Sequence, residues 1–97
     1  MTSKERALLR SLGSAIEPTC QIGKGEISEN ILKDLDAQLE KRELVKIGVL
    51  RTSPASASEA AGILANALNA QTVAVTGGKF LLYRKSKGDK VKHLLEI

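Results

Sequence analysis

Thr72-Val73-Ala74-Val75-Thr76-Gly77-Gly78-Lys79-Phe80-Leu81-Leu82-Tyr83-Arg84 reads as two strands joined by a two-residue turn. Paired glycines between two apolar runs mark a tight hairpin, because both central residues can take positive φ. Upstream, Pro54 marks a break and Ser56-Ala57-Ser58-Glu59 has the spacing of a capping box. Ala60, Ile63, Leu64, Ala67 and Leu68 carry that segment on as a helix whose alanines allow close approach to a sheet. Before it, Leu44 to Leu50 alternates Val45, Ile47 and Val49 with Lys46 and Gly48, a strand with one core face.

The same logic extends to the N-terminus. Ser28 opens a helix to about Arg42, its hydroxyl serving as cap and Ile27 and Leu32 taking the hydrophobic-staple positions. Ile31, Leu35 and Leu39 form its buried stripe, while Lys33, Asp34, Asp36, Glu40 and Lys41 face water. Thr19 to Ile22 is a short strand. Ser3 to Ile16 is a first helix with a stripe of Leu8, Leu9, Leu12 and Ile16, stopped by Pro18. The order α-β-α-β-α-β-β predicts an α/β fold of the α+β two-layer kind. Three helices accompany a four-stranded mixed sheet whose crossovers are right-handed. The 97 residues fit one domain, 1–97, with an ordered core over about 3–85 and a charged tail over 86–97.

Composition narrows the function classes. Phe80 and Tyr83 are the only aromatics, which argues against base-stacking platforms. Tyr83 itself reads as packing. Lys and Arg number 15 against 11 Asp and Glu, a net charge of +4 that favours a polyanionic partner. Acidic residues gather between Glu26 and Glu43, whereas Lys79 to Lys92 holds Arg84, Lys85, Lys87 and Lys90 against Asp89, so one side should be basic. The lone Cys20 excludes an internal disulfide and suits a reducing cytoplasm. Lys4, Glu5, Arg6 and Arg10 interrupt any signal peptide, and the uncharged Ala60 to Gly78 is too polar to span a membrane. The expected location is cytoplasmic.

Catalysis finds little footing. His93 is the only histidine and lies in the charged tail; with Cys20 it cannot supply a structural zinc site. Asp34, Asp36 and Glu40 read as a solvated helix face rather than a metal site. No catalytic residue, metal, cofactor or small-molecule substrate is expected. The most informative segment is Gln21-Ile22-Gly23-Lys24-Gly25-Glu26-Ile27-Ser28, where a glycine-bearing turn leads into a helix N-terminus. Local sequence leaves two readings open. Free amides, helix dipole and Lys24 can cradle an anion, or the glycines merely permit a tight turn. It matches neither the P-loop nor the dinucleotide fingerprint.

Taken together, four stretches resemble the CRM-domain family in its bacterial single-domain, YhbY-type form. They are Leu8-Leu9-Arg10-Ser11-Leu12, Gln21 to Gly25 with Ser28-Glu29-Asn30, Glu43-Leu44-Val45-Lys46-Ile47, and Gly77 to Arg84. The resemblance implies a fold similar to the C-terminal domain of translation initiation factor three. It also implies RNA binding at the large ribosomal subunit or its precursor particle. The family's loop reads Gly-x-x-Gly and is compared with the phosphate clamp of KH domains. Gly23, Lys24 and Gly25 fit; Glu26 replaces the last glycine, and its carboxylate suits the helix dipole but repels phosphate. RNA contacts are then expected at Gly23, Lys24, Gly25, Glu26, Arg10, Lys46, Arg51, Lys79, Arg84 and Lys85, with Lys24 and Arg84 singled out by the family motifs. Each cation has the alternative of being ordinary solvated surface. The expected state is a monomer in contact with ribosomal RNA. The other function class is a protein-interaction module docking an acidic protein surface, or accepting a strand at a sheet edge.

Overall fold

A computed structural model of the chain describes residues 2–23, 28–51 and 56–86. Along them run α1 (Ser3–Ser14), β1 (Cys20–Ile22), α2 (Glu29–Arg42), β2 (Leu44–Val49), α3 (Ala57–Leu68), β3 (Gln71–Thr76) and β4 (Lys79–Tyr83), in the expected order. The strands form one sheet, β1-β2-β4-β3, parallel between β1 and β2 and antiparallel at the other two pairings. The fold is α+β.

Helices begin where a side-chain oxygen meets free amides. Ser56 Oγ accepts from Glu59 N at 3.2 Å while Glu59 Oε1 accepts from Ser56 N at 3.5 Å, closing the expected capping box. Ser28 Oγ accepts from Ile31 N at 3.3 Å; its staple partner Ile27 lies outside the described residues. A second box, Thr2 with Glu5, opens α1 and holds the Glu5 carboxyl below its usual range through hydrogen bonds to Thr2. Helices α2 and α3 end on left-handed residues, Glu43 (φ 64°) and Asn69 (φ 54°).

Both faces of the sheet are covered. Helices α2 and α3 pack on Ile22, Val45, Ile47, Phe80 and Leu82 through residues such as Leu35, Leu39, Leu64 and Leu68. Helix α1 covers the other face, where Leu9 meets Leu44, Val73, Leu81 and Tyr83. The expected two layers are therefore three, with α1 alone on its side. The cause lies in β4, where Phe80 to Tyr83 are buried without a break, as in a strand that serves two cores. Only Leu9 of the predicted α1 stripe is fully buried; Ile16 is half-buried, and Leu8 and Leu12 stay exposed.

The hairpin also departs in detail. Of its two glycines only Gly77 takes positive φ, at 58°. At Gly78 a Cβ would crowd Val49 O at 3.1 Å, and Gly78 O accepts from Val49 N at 2.6 Å. A bulge between Thr72 and Ala74 breaks the alternation of β3, so Val73 and Ala74 both pack toward α1. At the chain's other end Ser86, expected in the tail, is buried and donates its amide to Glu43 Oε2 at 2.6 Å.

Gly13 sets how near α1 comes to the sheet. A Cβ at this position would fall 2.3 Å from Leu81 Cδ1 and 3.1 Å from its Cγ. Gly13→Ala therefore sets an overpacking cost of about 1–3 kcal/mol against a helix-propensity gain of about 1 kcal/mol. A net loss on the order of 1 kcal/mol is expected, read as a lower Tm; a raised Tm would show that Leu81 repacks freely.

Candidate nucleic-acid interface

Strand register decides which predicted residues meet. Ile22 pairs with Val49, and Gly48 with Lys79, so the ends of β1 and β2 and the β3–β4 turn share one end of the sheet. Gly23, Arg51 and Lys79 stand there. The rest of the candidate loop, Lys24, Gly25 and Glu26, lies outside the described residues. Arg84 follows β4 at the opposite end, roughly 17 Å from Lys79 by strand rise, with the exposed Lys85 beside it in sequence.

Between α1 and the sheet runs an open groove of about 630 Å³. Arg10 enters it from α1, Lys46 from β2 and Lys79 from β4, and Ser11, Ser14 and Thr76 add hydroxyls. Three elements distant in sequence thus converge. Alternation on β2 sends Lys46 to the α1 face while Val45 and Ile47 enter the larger core. There Lys46 Nζ donates to Gly13 O at 3.3 Å, placing a cation on the negative end of the α1 dipole. Nearby, Arg6 Nη1 donates to Val73 O at 3.3 Å and ties α1 to the bulged strand.

Charge compensation separates the groove from Arg84. Among the described residues no carboxylate lines the groove, and neither Arg10 nor Lys79 forms an ion pair. Arg84 is the reverse. Its Nη1 donates to Asp36 Oδ1 at 2.7 Å and Leu68 O at 2.9 Å; its Nη2 donates to Asp36 O at 3.1 Å and Glu40 Oε1 at 3.2 Å. Nε is buried without a partner among the described residues. Two carboxylates against one guanidinium leave Arg84 itself with no surplus positive charge to offer a phosphate. The structure assigns Arg84 to pinning α2 and α3 to the end of β4. Asp36 and Glu40, read as solvated, are the other half of that pin.

Cys20 is half-buried against the larger core rather than fully enclosed. Burial, and then the charge of Asp34, push its thiol up, leaving it protonated and weakly nucleophilic near neutral pH. No helix among the described residues is long and apolar enough to cross a membrane.

The signal for the groove was present in the sequence in pieces. The charges of Arg10, Lys46 and Lys79 mark them as candidates from the sequence, whereas nothing in the sequence singles out the hydroxyls of Ser11, Ser14 and Thr76 as site groups. A helical glycine at position 13, with no turn to make, is the sequence signal that α1 comes close to a neighbour there, which the structure shows to be the Leu81 side chain.

Comparison with known proteins agrees with this architecture. Residues 1–84 match the family model of the CRS1 / YhbY (CRM) domain. The chain is 33% identical over 90 residues to the probable RNA-binding protein YqeI of Bacillus subtilis, covering 93% of this chain and 94% of that one. It is 35% identical over 92 residues to the probable RNA-binding protein MJ0652 of Methanocaldococcus jannaschii, covering 93% and 68%. The solution structure of the hypothetical protein SAV1595 from Staphylococcus aureus superposes with a TM-score of 0.76 at 40% identity, across 96% of this chain and 98% of that one. With its sheet order, helices and nearly all its length accounted for, the chain belongs to the CRS1 / YhbY (CRM) domain family.

Proposed function

We propose that the chain is an RNA-binding protein that holds structured RNA by its backbone. One observation carries the reading: Arg10, Lys46 and Lys79 converge on a groove that no described carboxylate neutralises. Cations on such a surface displace the counterions condensed on RNA phosphates and so provide affinity without reading sequence. Both aromatic rings, Phe80 and Tyr83, are buried, so stacking contributes nothing from the described residues. The names of the YqeI and MJ0652 relatives support the same partner class. Gly23 and Arg51, at the adjoining end of the sheet, extend the contact beyond the groove, and Lys24, Gly25 and Glu26 of the family loop are proposed to join it.

The finer reading is a cytoplasmic monomer bound to ribosomal RNA of the large subunit or its precursor particle during assembly. Sedimentation of tagged protein in lysate gradients tests it. Comigration with large-subunit particles at low salt, released at high salt, is the expected result. Protein that stays at the top of the gradient at low salt, yet binds RNA in a filter assay, removes the ribosomal part and keeps the RNA-binding part. Copurification with an acidic protein after nuclease treatment would favour a protein-docking role.

A further inference from the structure

The groove has features that free phosphate attraction does not call for. Its lining sets Arg10, Lys46 and Lys79 beside small and apolar positions, Ala7, Gly13, Ala74, Phe80 and Leu81. Ser11, Ser14 and Thr76 add hydroxyls to the same lining. Ser14 Oγ donates to Ser11 O at 2.8 Å, which leaves its lone pairs turned to accept. The hydroxyls of Ser11 and Thr76 have no protein partner among the described residues. A volume of about 630 Å³ falls within the roughly 300–1,000 Å³ of sites that hold whole small molecules.

We propose that this groove seats one nucleotide of the RNA chain, gripped by its phosphate and its ribose while its base goes unread. The inference deepens, and rests on, the RNA-binding reading above. The cations take the phosphate. The Ser11, Ser14 and Thr76 hydroxyls take sugar hydroxyls, the 2′-hydroxyl among them, and this is the group that separates RNA from DNA. The sugar's carbon face lies on the apolar part of the lining. With Phe80 only 1% exposed and Tyr83 6%, no ring is free to stack on a base, so base identity has nothing to act on.

The test is a heteronuclear NMR titration of the full chain with adenosine, uridine and deoxyadenosine 5′-monophosphates and with inorganic phosphate, beside a filter-binding assay with structured RNA. Amide shifts should centre on Ser11, Gly13, Ser14 and Thr76. The two ribonucleotides should bind within about 2-fold of each other, and the deoxynucleotide about 2- to 10-fold more weakly, as one lost hydrogen bond dictates. Thr76→Val should erase part of that preference and leave the fold intact.

Equal binding of all four ligands would overturn the ribose seat and leave a plain anion site. A 10-fold preference for one base would overturn the claim that the base is unread. Shifts absent from the groove while RNA still binds would refute the seat alone; loss of RNA binding as well would refute the reading beneath it.

Discussion

Arg84→Ala is expected to lower the unfolding free energy by about 2–4 kcal/mol, the largest stability effect of any single substitution considered. Hydrogen bonds to charged groups contribute about 1.5–3 kcal/mol each, but Asp36 and Glu40 are partly exposed, at 57% and 36% of their side chains, and screening trims their share. The carbonyls of Leu68 and Asp36 lose their donor too. For a domain of this size the change corresponds to a fall in Tm of roughly 10–25 °C. Arg84→Lys should recover under half of the loss, because an ammonium cannot span both carboxylates and both carbonyls as the planar guanidinium does. The RNA assay is the decisive companion. Measured well below Tm, the salt dependence of Arg84→Ala should match that of the unaltered chain. A flatter dependence would return Arg84 to the contact surface that the family motif implies.

The second large effect is on binding. Arg10→Ala with Lys79→Ala removes two cations that have no ion-pair partner among the described residues, so little stability should be lost with them. Each phosphate contact accounts for about 0.7–0.9 in the slope of log affinity against log salt, so the double variant should flatten that slope by about 1.4–1.8. Near 0.1 M salt this amounts to roughly 25- to 60-fold weaker binding. Circular dichroism and Tm should stay close to those of the parent. An unchanged slope in a folded double variant would move the RNA surface away from the groove.

These two outcomes differ because of what was and was not legible in the sequence. Local chemistry was legible: the Ser28 and Ser56 caps, the Gly77–Gly78 turn and the alternation of Val45, Ile47 and Val49 each depend on neighbours within a few positions. Long-range pairing was not. Arg84 and Asp36 are 48 positions apart, and nothing near either residue announces the other. The family motif marked Arg84 as special without saying whether the reason was contact or construction. The separate layer of α1 escapes the sequence for a related reason. Phe80-Leu81-Leu82-Tyr83 is apolar on both faces, which fits a strand covered on both sides but does not say which helix lies on which. The groove is likewise a product of topology. Residues from positions 7 to 81 line it, and only the sheet order β1-β2-β4-β3 brings Lys46 and Lys79 under α1.

The solitary placement of α1 has a further bearing on how the molecule answers its ligand. On its side of the sheet only Leu9 and Gly13 of α1 are fully buried, against five buried positions on α3. Because α1 stands alone on its face among the described residues, it can detach without disturbing the larger core under α2 and α3, which suits it to local unfolding. One wall of the groove is that same helix, so the site exists only while α1 is docked. Anything held between the two walls adds its binding free energy to the hold on α1, about 2.7 kcal/mol at a hundredfold excess over Kd. Occupancy of the groove and closure of the helix are a single equilibrium seen from two sides.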